Sequence, residues 1–369
     1  MHKHHRHQQL NRLGVHVIFT VVLVWSVFIP THAEGNELKL VPIIENLSPS
    51  WAVAVSPSDE VFISGRAGVI EKYTLNGELV KKYPLPLSDL FYEGQGGLLD
   101  IAFAPDYLQT GHIYASYSYG TSAANALKVV KIDIRNANKP LVTTIFAQRD
   151  MRSTPVHYGA RMAFMNNGNL LLSTGDGFDF REDAQRDASQ LGKILNITPE
   201  GEIITLSKGH RNPQGLIVMP NGQVLSHEHG PDGGDELNII ELGNNYGWPV
   251  ITNGKDYIGG LITPFTEYPK MQQPAVDWTP SIAPSGMIYY ANTRLPTLSK
   301  RLLITSLKYQ QLHTLAVTEH NGELQFTDET VLFPKSGYRM RDIAQTSEGR
   351  IFILGDGKQA NLFELTHSD

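Results

Sequence analysis

Six times along this chain a short apolar run, a tight turn and a second apolar run recur, and a third apolar run follows each pair. The units begin at Trp51 (WAVAVSPSDEVFISG), Leu98 (LLDIAFAPDY), Arg161 (RMAFMNNGNLLLSTGDG), Gln214 (QGLIVMPNGQVLSHEHG), Ser285 (SGMIYYA) and Arg341 (RDIAQTSEGRIFILGDG). Third runs lie at 68–70, 127–134, 193–197, 236–241, 311–317 and 360–365. Val, Ile, Leu, Phe and Tyr fill the runs, and Gly, Pro, Asn and Asp punctuate them, which is a pattern of strands rather than helices. Similar units spaced by roughly 50 to 70 residues suit radial blades of about four strands, whereas a two-sheet sandwich needs no such repetition. The expected fold is all-β, a six-bladed β-propeller of four-stranded antiparallel blades around a central channel. A further candidate strand, 38–47, precedes the first unit. It is expected to supply the outermost strand of the last blade, which closes the ring and removes an exposed edge.

The segment ahead of the repeat has a different character. Lys3, Arg6 and Arg12 precede an apolar run over 15–29, and Pro30-Thr31-His32-Ala33 follows. A positive flank, a short apolar core and a small residue together predict a signal peptide over 1–33, with the propeller domain over 34–369. The run is shorter than the roughly 20 residues of a spanning helix. A periplasmic location without stable membrane insertion is therefore expected. Without that segment the chain carries 28 basic and 37 acidic residues, a formal charge of −9. Such a balance argues against a nucleic-acid partner. Absence of cysteine excludes disulfides and thiolate metal sites.

Propeller geometry converts the repeat into a map of one face. The first strand of each blade runs along the channel and the second runs back, so residues before first strands and after second strands share the channel mouth. Gln95, His157, Arg211, Asn212, Trp278, Arg339 and Arg341 fall before first strands, and Asp176, the segment 228–231 and Lys308 after second strands. Taken singly each has a plain structural role: a satisfied histidine, a solvated cation, a turn at Gly230-Pro231. Together, Arg211, Lys308, Arg339 and Arg341 place four cations around one mouth, which repel unless an anion sits there. The expected ligand is polyanionic, and a planar one accounts for Trp278 at the rim.

At these residues the chain resembles the soluble pyrroloquinoline-quinone (PQQ)-dependent sugar dehydrogenases of the glucose/sorbosone and aldose type, which are six-bladed propellers. The motifs EGQGGLLDIAFAPDY (93–107), HYGARMAF (157–164), LLLSTGDG (170–177), QLGKIL (190–195), GHRNPQG (209–215), EHGPDGGDELN (228–238), NNYGWP (244–249), PSGM (284–287), LLITSLK (302–308) and RMRDI (339–343) carry the resemblance in order. It implies oxidation of an aldose at its anomeric hydroxyl to a lactone, with PQQ and Ca²⁺ as cofactors. His157 would be the base, Asp176 its polarising partner and Gln95 a neighbour of substrate and quinone. Arg211, Asn212, Lys308, Arg339 and Arg341 match quinone-binding positions. The carbonyls of Gly230 and Pro231 would ligate the calcium, a hard cation that takes oxygen donors. Glu236, Tyr246 and Asp256 resemble a second, structural calcium site.

The chain departs from the family pattern at three places. Val156 stands where relatives tend to carry a polar residue that touches sugar. The stretch 196–208 is short, which implies a trimmed outer loop and a wider rim. No extended insertion occupies 125–128, which favours the aldose-type branch. The expected partners are a small sugar and an unspecified electron acceptor, and a monomer is expected. Two other readings remain open on the sequence: a calcium-dependent propeller lactonase, and a carbohydrate-binding propeller without catalysis.

Overall fold

The computed structural model describes residues 37–135, 140–358 and 360–368, so the expected signal peptide lies outside the described residues. Twenty-four strands form six four-stranded antiparallel sheets. The first blade is β2 (Ser50–Val55), β3 (Val61–Gly65), β4 (Val69–Tyr73) and β5 (Leu79–Pro84). The second is β6 (Leu98–Phe103), β7 (His112–Gly120), β8 (Asn125–Asp133) and β9 (Leu141–Ala147). The third is β10 (Gly159–Phe164), β11 (Leu170–Thr174), β12 (Lys193–Ile197) and β13 (Ile203–Lys208). The fourth comprises β14 (Pro213–Val218), β15 (Val224–Glu228), β16 (Asp235–Ile240) and β17 (Val276–Trp278). The fifth comprises β18 (Pro284–Tyr290), β19 (Arg301–Ser306), β20 (Gln311–His320) and β21 (Glu323–Leu332). The sixth joins β22 (Met340–Gln345), β23 (Ile351–Gly355) and β24 (Ala360–His367) to β1 (Leu38–Leu47) from the other end of the chain. The expected ring closure is thus present, with Leu38 opposite His367.

The blades hold one another through apolar layers between neighbouring sheets. Phe62, Leu98, Ile113 and Leu127 belong to one such layer, and Leu302, Ile304 and Leu225 to another, all without solvent exposure. Each such side chain contributes about 1.5–3 kcal/mol on burial. Second strands are the most enclosed, because a blade packs on both of their faces: every residue of β11 and of β23 is buried.

Beneath the mouth, one side chain reaches all the other blades. Arg161 on β10 stacks over Trp51 of the first blade at 4.2 Å. It contacts Asp100 of the second at 3.3 Å and Asp342 of the sixth at 3.0 Å. It donates to the Gln214 carbonyl of the fourth at 2.7 Å and to the Ser285 carbonyl of the fifth at 3.1 Å. Asp100 in turn accepts the Met162 amide at 2.7 Å, and Asp342 accepts the Val53 amide at 2.9 Å. The buried charges are therefore paired and hydrogen-bonded, the condition under which an interior ion cluster persists.

Two expectations are corrected by this arrangement. Trp278 does not precede a first strand. It ends β17, the outermost strand of the fourth blade, where it packs with Leu237, Leu315 and Met287 and donates its indole N–H to Glu329 at 3.0 Å. The indole is consumed by the interblade core and cannot cover a ligand. The short connection between β12 and β13 lies beside the turn at Gly168, on the face opposite the mouth, with Gly168 close to the Pro199 ring. Its length does not alter the rim.

Candidate active site

The third blade presents a histidine at the mouth for a definable reason. Two residues before β10, His157 has φ +53°, in the left-handed region that costs a non-glycine residue on the order of 1 kcal/mol. Its backbone N–H donates to the Gln95 side-chain oxygen at 2.8 Å. Across β11, Gly175 packs directly under the His157 carbonyl, where a Cβ would approach to 2.0 Å. Backbone strain held by two neighbours at a cavity edge is a mark of a positioned functional group.

His157 Nδ1 lies 2.8 Å from Asp176 Oδ1. Asp176 also accepts the Phe178 amide at 2.8 Å and the Trp248 indole N–H at 2.8 Å. A carboxylate only accepts, so the ring proton sits on Nδ1 and the Nε2 lone pair is free. Among the described residues no hydrogen bond engages Nε2. Burial holds the His157 pKa below its ordinary 6.5, although the Asp176 hydrogen bond opposes the shift. Burial raises the Asp176 pKa, but the His157 hydrogen bond and the Arg211 charge outweigh it and leave the pKa below the usual carboxylate value. The pair is thus a neutral imidazole on an ionised carboxylate, an arrangement that can accept a proton near neutral pH.

Beside this pair opens a cavity of about 530 Å³ lined by Gln95, Tyr158, Gly159, Asn212, Lys308, Arg339 and Arg341, with Trp51 and Leu99 as its apolar floor. Arg66, Lys308, Arg339 and Arg341 face Asp356 across it, four cations against one carboxylate, a formal +3. Arg339 and Arg341 share Asp356 at 2.9 and 3.2 Å. Burial lowers the Arg341 pKa, with Asp356 opposing. Lys308 has no carboxylate partner among the described residues and lies over the Tyr309 ring at 5.5 Å. Arg66 donates to the carbonyls of Gly94 and Gly96. The Asn212 side-chain oxygen accepts the Gly159 amide at 3.3 Å.

A smaller chamber of about 290 Å³ lies on the other side of the pair, against Asp176, Phe178, Arg211, Pro231, Trp248 and Tyr257. Arg211 is buried between Trp248 and Tyr257, whose ring centroids lie 5.3 and 5.8 Å from its guanidinium. Its guanidinium donates to the Gly230 carbonyl at 2.7 Å and the His229 carbonyl at 3.1 Å.

These placements decide how far the expected ligands fit. Two guanidiniums sharing one carboxylate, with an ammonium that lacks any, suit a planar polyanion. The loop at Gly230 is oxygen-rich, since a Cβ there would lie 2.2 Å from the Gly233 carbonyl oxygen. Its carbonyls are the donors open to a hard cation, since the neighbouring Asp235 carboxylate already accepts the amides of Gly230, Ile282 and Ala283 and the Ser281 hydroxyl, and the Gly230 carbonyl itself receives Arg211. A calcium ion there fits as the companion of an anionic ligand that supplies the missing negative charge, not alone. The proposed second set does not converge. Glu236 is half-buried between its register partners Glu228 and Asp277, with its pKa pushed up to about 8 by desolvation and then by Glu228. Tyr246 stacks on His210 and gives its hydroxyl to the Ile239 carbonyl at 2.5 Å. Asp256 faces the smaller chamber, 3.8 Å from Arg181. Among the described residues no three His, Asp or Glu side chains are spaced to hold a metal.

Several site residues escape a reading of the sequence. Trp248, not Trp278, is the indole of the site, carried there by the 35-residue excursion 241–275 between β16 and β17. Asp356 is the sixth-blade counterpart of Asp176, and the repeated GDG at 175–177 and 355–357 is the signal that could have found it. Arg66, Trp51 and Tyr257 come from other blades and loops and carry no local mark.

Residues 47–364 match the family described as glucose/sorbosone dehydrogenase. The chain is 32% identical to the aldose sugar dehydrogenase YliI of Escherichia coli over 351 residues, 87% of this chain and 91% of that one. It is 25% identical to quinoprotein glucose dehydrogenase B of Acinetobacter calcoaceticus over 277 residues, 65% of this chain and 58% of that one. The crystal structure of the soluble aldose sugar dehydrogenase of Escherichia coli in its apo-form superimposes with a TM-score of 0.82 at 29% identity, covering 89% of this chain and 99% of that one.

Proposed function

The chain belongs to the glucose/sorbosone dehydrogenase family, and from that premise we propose that it oxidises aldoses at the anomeric hydroxyl to lactones with PQQ and Ca²⁺. The observation that carries the reading is the neutral His157 on ionised Asp176 beside a cavity walled by four cations and one carboxylate. PQQ would supply the two-electron acceptor that no side chain here provides. Lys308, Arg339, Arg341 and Asn212 would hold it over the floor of Trp51 and Leu99. The Gly230 and Pro231 carbonyls would take the calcium, which requires Arg211 to turn from the Gly230 carbonyl toward the anion. His157 Nε2 accepts the proton of the sugar hydroxyl, and Asp176 fixes the ring and stabilises the imidazolium. The quinoprotein relative from Acinetobacter supports the cofactor, and the Escherichia relative the aldose substrate. The periplasmic location and the monomeric state belong to this reading as well. Reconstitution of the apo-protein with PQQ and Ca²⁺, followed by dye reduction with a panel of aldoses, tests it. Quinone binding without turnover of any sugar or simple alcohol rejects the dehydrogenase.

Two further results are expected. Lys308→Ala or Arg341→Ala weakens PQQ binding by about 1–3 kcal/mol through lost charge-assisted hydrogen bonds. An absorbance titration measures it, and unchanged affinity would place the quinone elsewhere. The acid limb of kcat/KM follows the protonation of His157. Burial lowers that pKa, so the base stays unprotonated to lower pH, and the midpoint falls below 6.5. A limb at or above 6.5 assigns the proton acceptor to another group.

A further inference from the structure

Three loops at the mouth are linked in series, one from each of the first three blades. Arg66 follows β3, Gln95 precedes β6 and His157 precedes β10. The Arg66 guanidinium donates to the Gly96 carbonyl through Nε at 3.0 Å and to the Gly94 carbonyl through Nη2 at 2.6 Å. It also lies over the Tyr92 ring of the same loop, 5.0 Å from its centroid. Gln95 stands between the two pinned carbonyls and grips the next segment at two points. Its amide donates to the Pro155 carbonyl at 2.8 Å, and its side-chain oxygen accepts the His157 amide at 2.8 Å. Gly94 packs so closely there that a Cβ would come within 2.5 Å of the Pro155 carbonyl oxygen.

The loop needs this brace. Residues 92–95 are exposed, whereas 96–98 are buried. Among the described residues, the Gly94 and Gly96 carbonyls accept hydrogen bonds from Arg66 alone. An exposed loop tip opens at low cost unless side chains hold it. His157 has φ +53°, and such a backbone persists only where its neighbours over-determine it. Arg66 has no carboxylate partner among the described residues, and its Nη1 makes no hydrogen bond there. The side chain lines the larger cavity, so Nη1 is the donor left over for an anion.

We propose that Arg66 is a positioning residue for the base, bracing both sides of Gln95 so that Gln95 holds the His157 segment in its strained conformation. The same guanidinium offers Nη1 to the anion in the cavity, so cofactor and base are seated on one side chain. The role of the base rests on the dehydrogenase reading, whereas the linkage between the loops does not. A planar guanidinium fork spans two carbonyls, and a compact ammonium does not reproduce it. Lysine at this position therefore keeps the charge and loses the brace, and methionine loses both.

The test first follows amide hydrogen exchange by mass spectrometry in the protein without cofactor, over residues 94–97 and 155–158. Strands 160–164 and 170–174 serve as the reference. Exchange in both segments is expected to quicken about tenfold in Arg66→Met and Arg66→Lys, with the strands unchanged. In the PQQ- and Ca²⁺-loaded protein, kcat is expected to fall about tenfold in both variants through misplacement of the base. Quinone affinity is expected to fall about tenfold in Arg66→Met and to stay within a few-fold in Arg66→Lys. Local quickening in either variant, together with the loss of kcat, carries the proposal, and Arg66→Lys decides alone where Arg66→Met does not fold. Unchanged exchange in the folded variants, quickening spread equally over the strands, or full kcat despite local quickening overturns it. No turnover of any aldose by the parent rejects the dehydrogenase reading, and the exchange result then decides the linkage by itself.

Discussion

His157→Ala is expected to lower kcat by about 10²- to 10⁴-fold while leaving PQQ affinity within a few-fold of the parent, because the base acts on the substrate proton and not on the anion. The imidazole is 6% exposed and makes one side-chain hydrogen bond, to Asp176, so its loss also leaves that carboxylate with a vacant acceptor position. Asp176 keeps the Phe178 amide and the Trp248 indole as donors, and the loop is expected to hold its shape. Steady-state dye reduction, paired with a quinone titration and a circular dichroism spectrum, measures the effect. A variant that retains full kcat removes His157 from the proton step. Weakened quinone binding with unchanged kcat would reassign it to the cofactor.

The second large effect is on stability. Arg161→Met is expected to cost about 3–5 kcal/mol, because Asp100 and Asp342 would remain buried without their cation and two carbonyls would lose their donor. For a chain of this size Tm falls by on the order of 10 °C. The deficit depends on pH. Burial raises the Asp100 pKa from 3.8 to about 6, and Arg161 opposes that rise. A raised carboxylate binds a proton more readily folded than unfolded, so it favours the fold at low pH and that contribution is lost as pH rises through about 6. Without Arg161 the rise is larger, and the variant is expected to lose more at pH 8 than at pH 5. Urea unfolding at the two pH values measures this. Equal and small deficits would show that the cluster is dispensable.

The architecture is legible in the sequence because its six units repeat one local pattern, and each strand pair reads without reference to distant parts. The ring closure by β1 and the gathering of Gln95, Asn212, Lys308, Arg339 and Arg341 around one cavity follow from that pattern and one geometric rule about the mouth, whereas Arg211, expected beside them, lines the smaller chamber and Arg66 is the fourth cation instead. What escapes is whatever departs from the repeat. The three-residue β17 follows a long excursion, so Trp278 reads as the entry to the next blade although it closes the previous one. The same excursion delivers Trp248, whose partner Asp176 lies in the third unit, and Tyr257, whose partner Arg211 stands 46 residues earlier at the entry of the same blade. Asp356 is missed because a GDG after a strand reads as a turn until its counterpart is seen to hold a histidine. Glu236, Tyr246 and Asp256 share one stretch of chain, yet the fold turns them toward three separate sets of neighbours.

The sixth blade has a consequence for the order in which the molecule assembles. Its outermost strand and its other three strands come from opposite ends of the chain, with Leu38 paired to His367. Five blades can form from contiguous segments, but the ring stays open until β24 meets β1, the contact with the greatest loop-closure entropy in the molecule. Until then β24 and β1 both present bare edges to the surroundings. The first and last strands therefore act as a clasp. Opening the chain instead at the Thr198–Gly201 turn, on the face away from the mouth, and joining the old ends is expected to yield a ring that closes elsewhere and keeps its site.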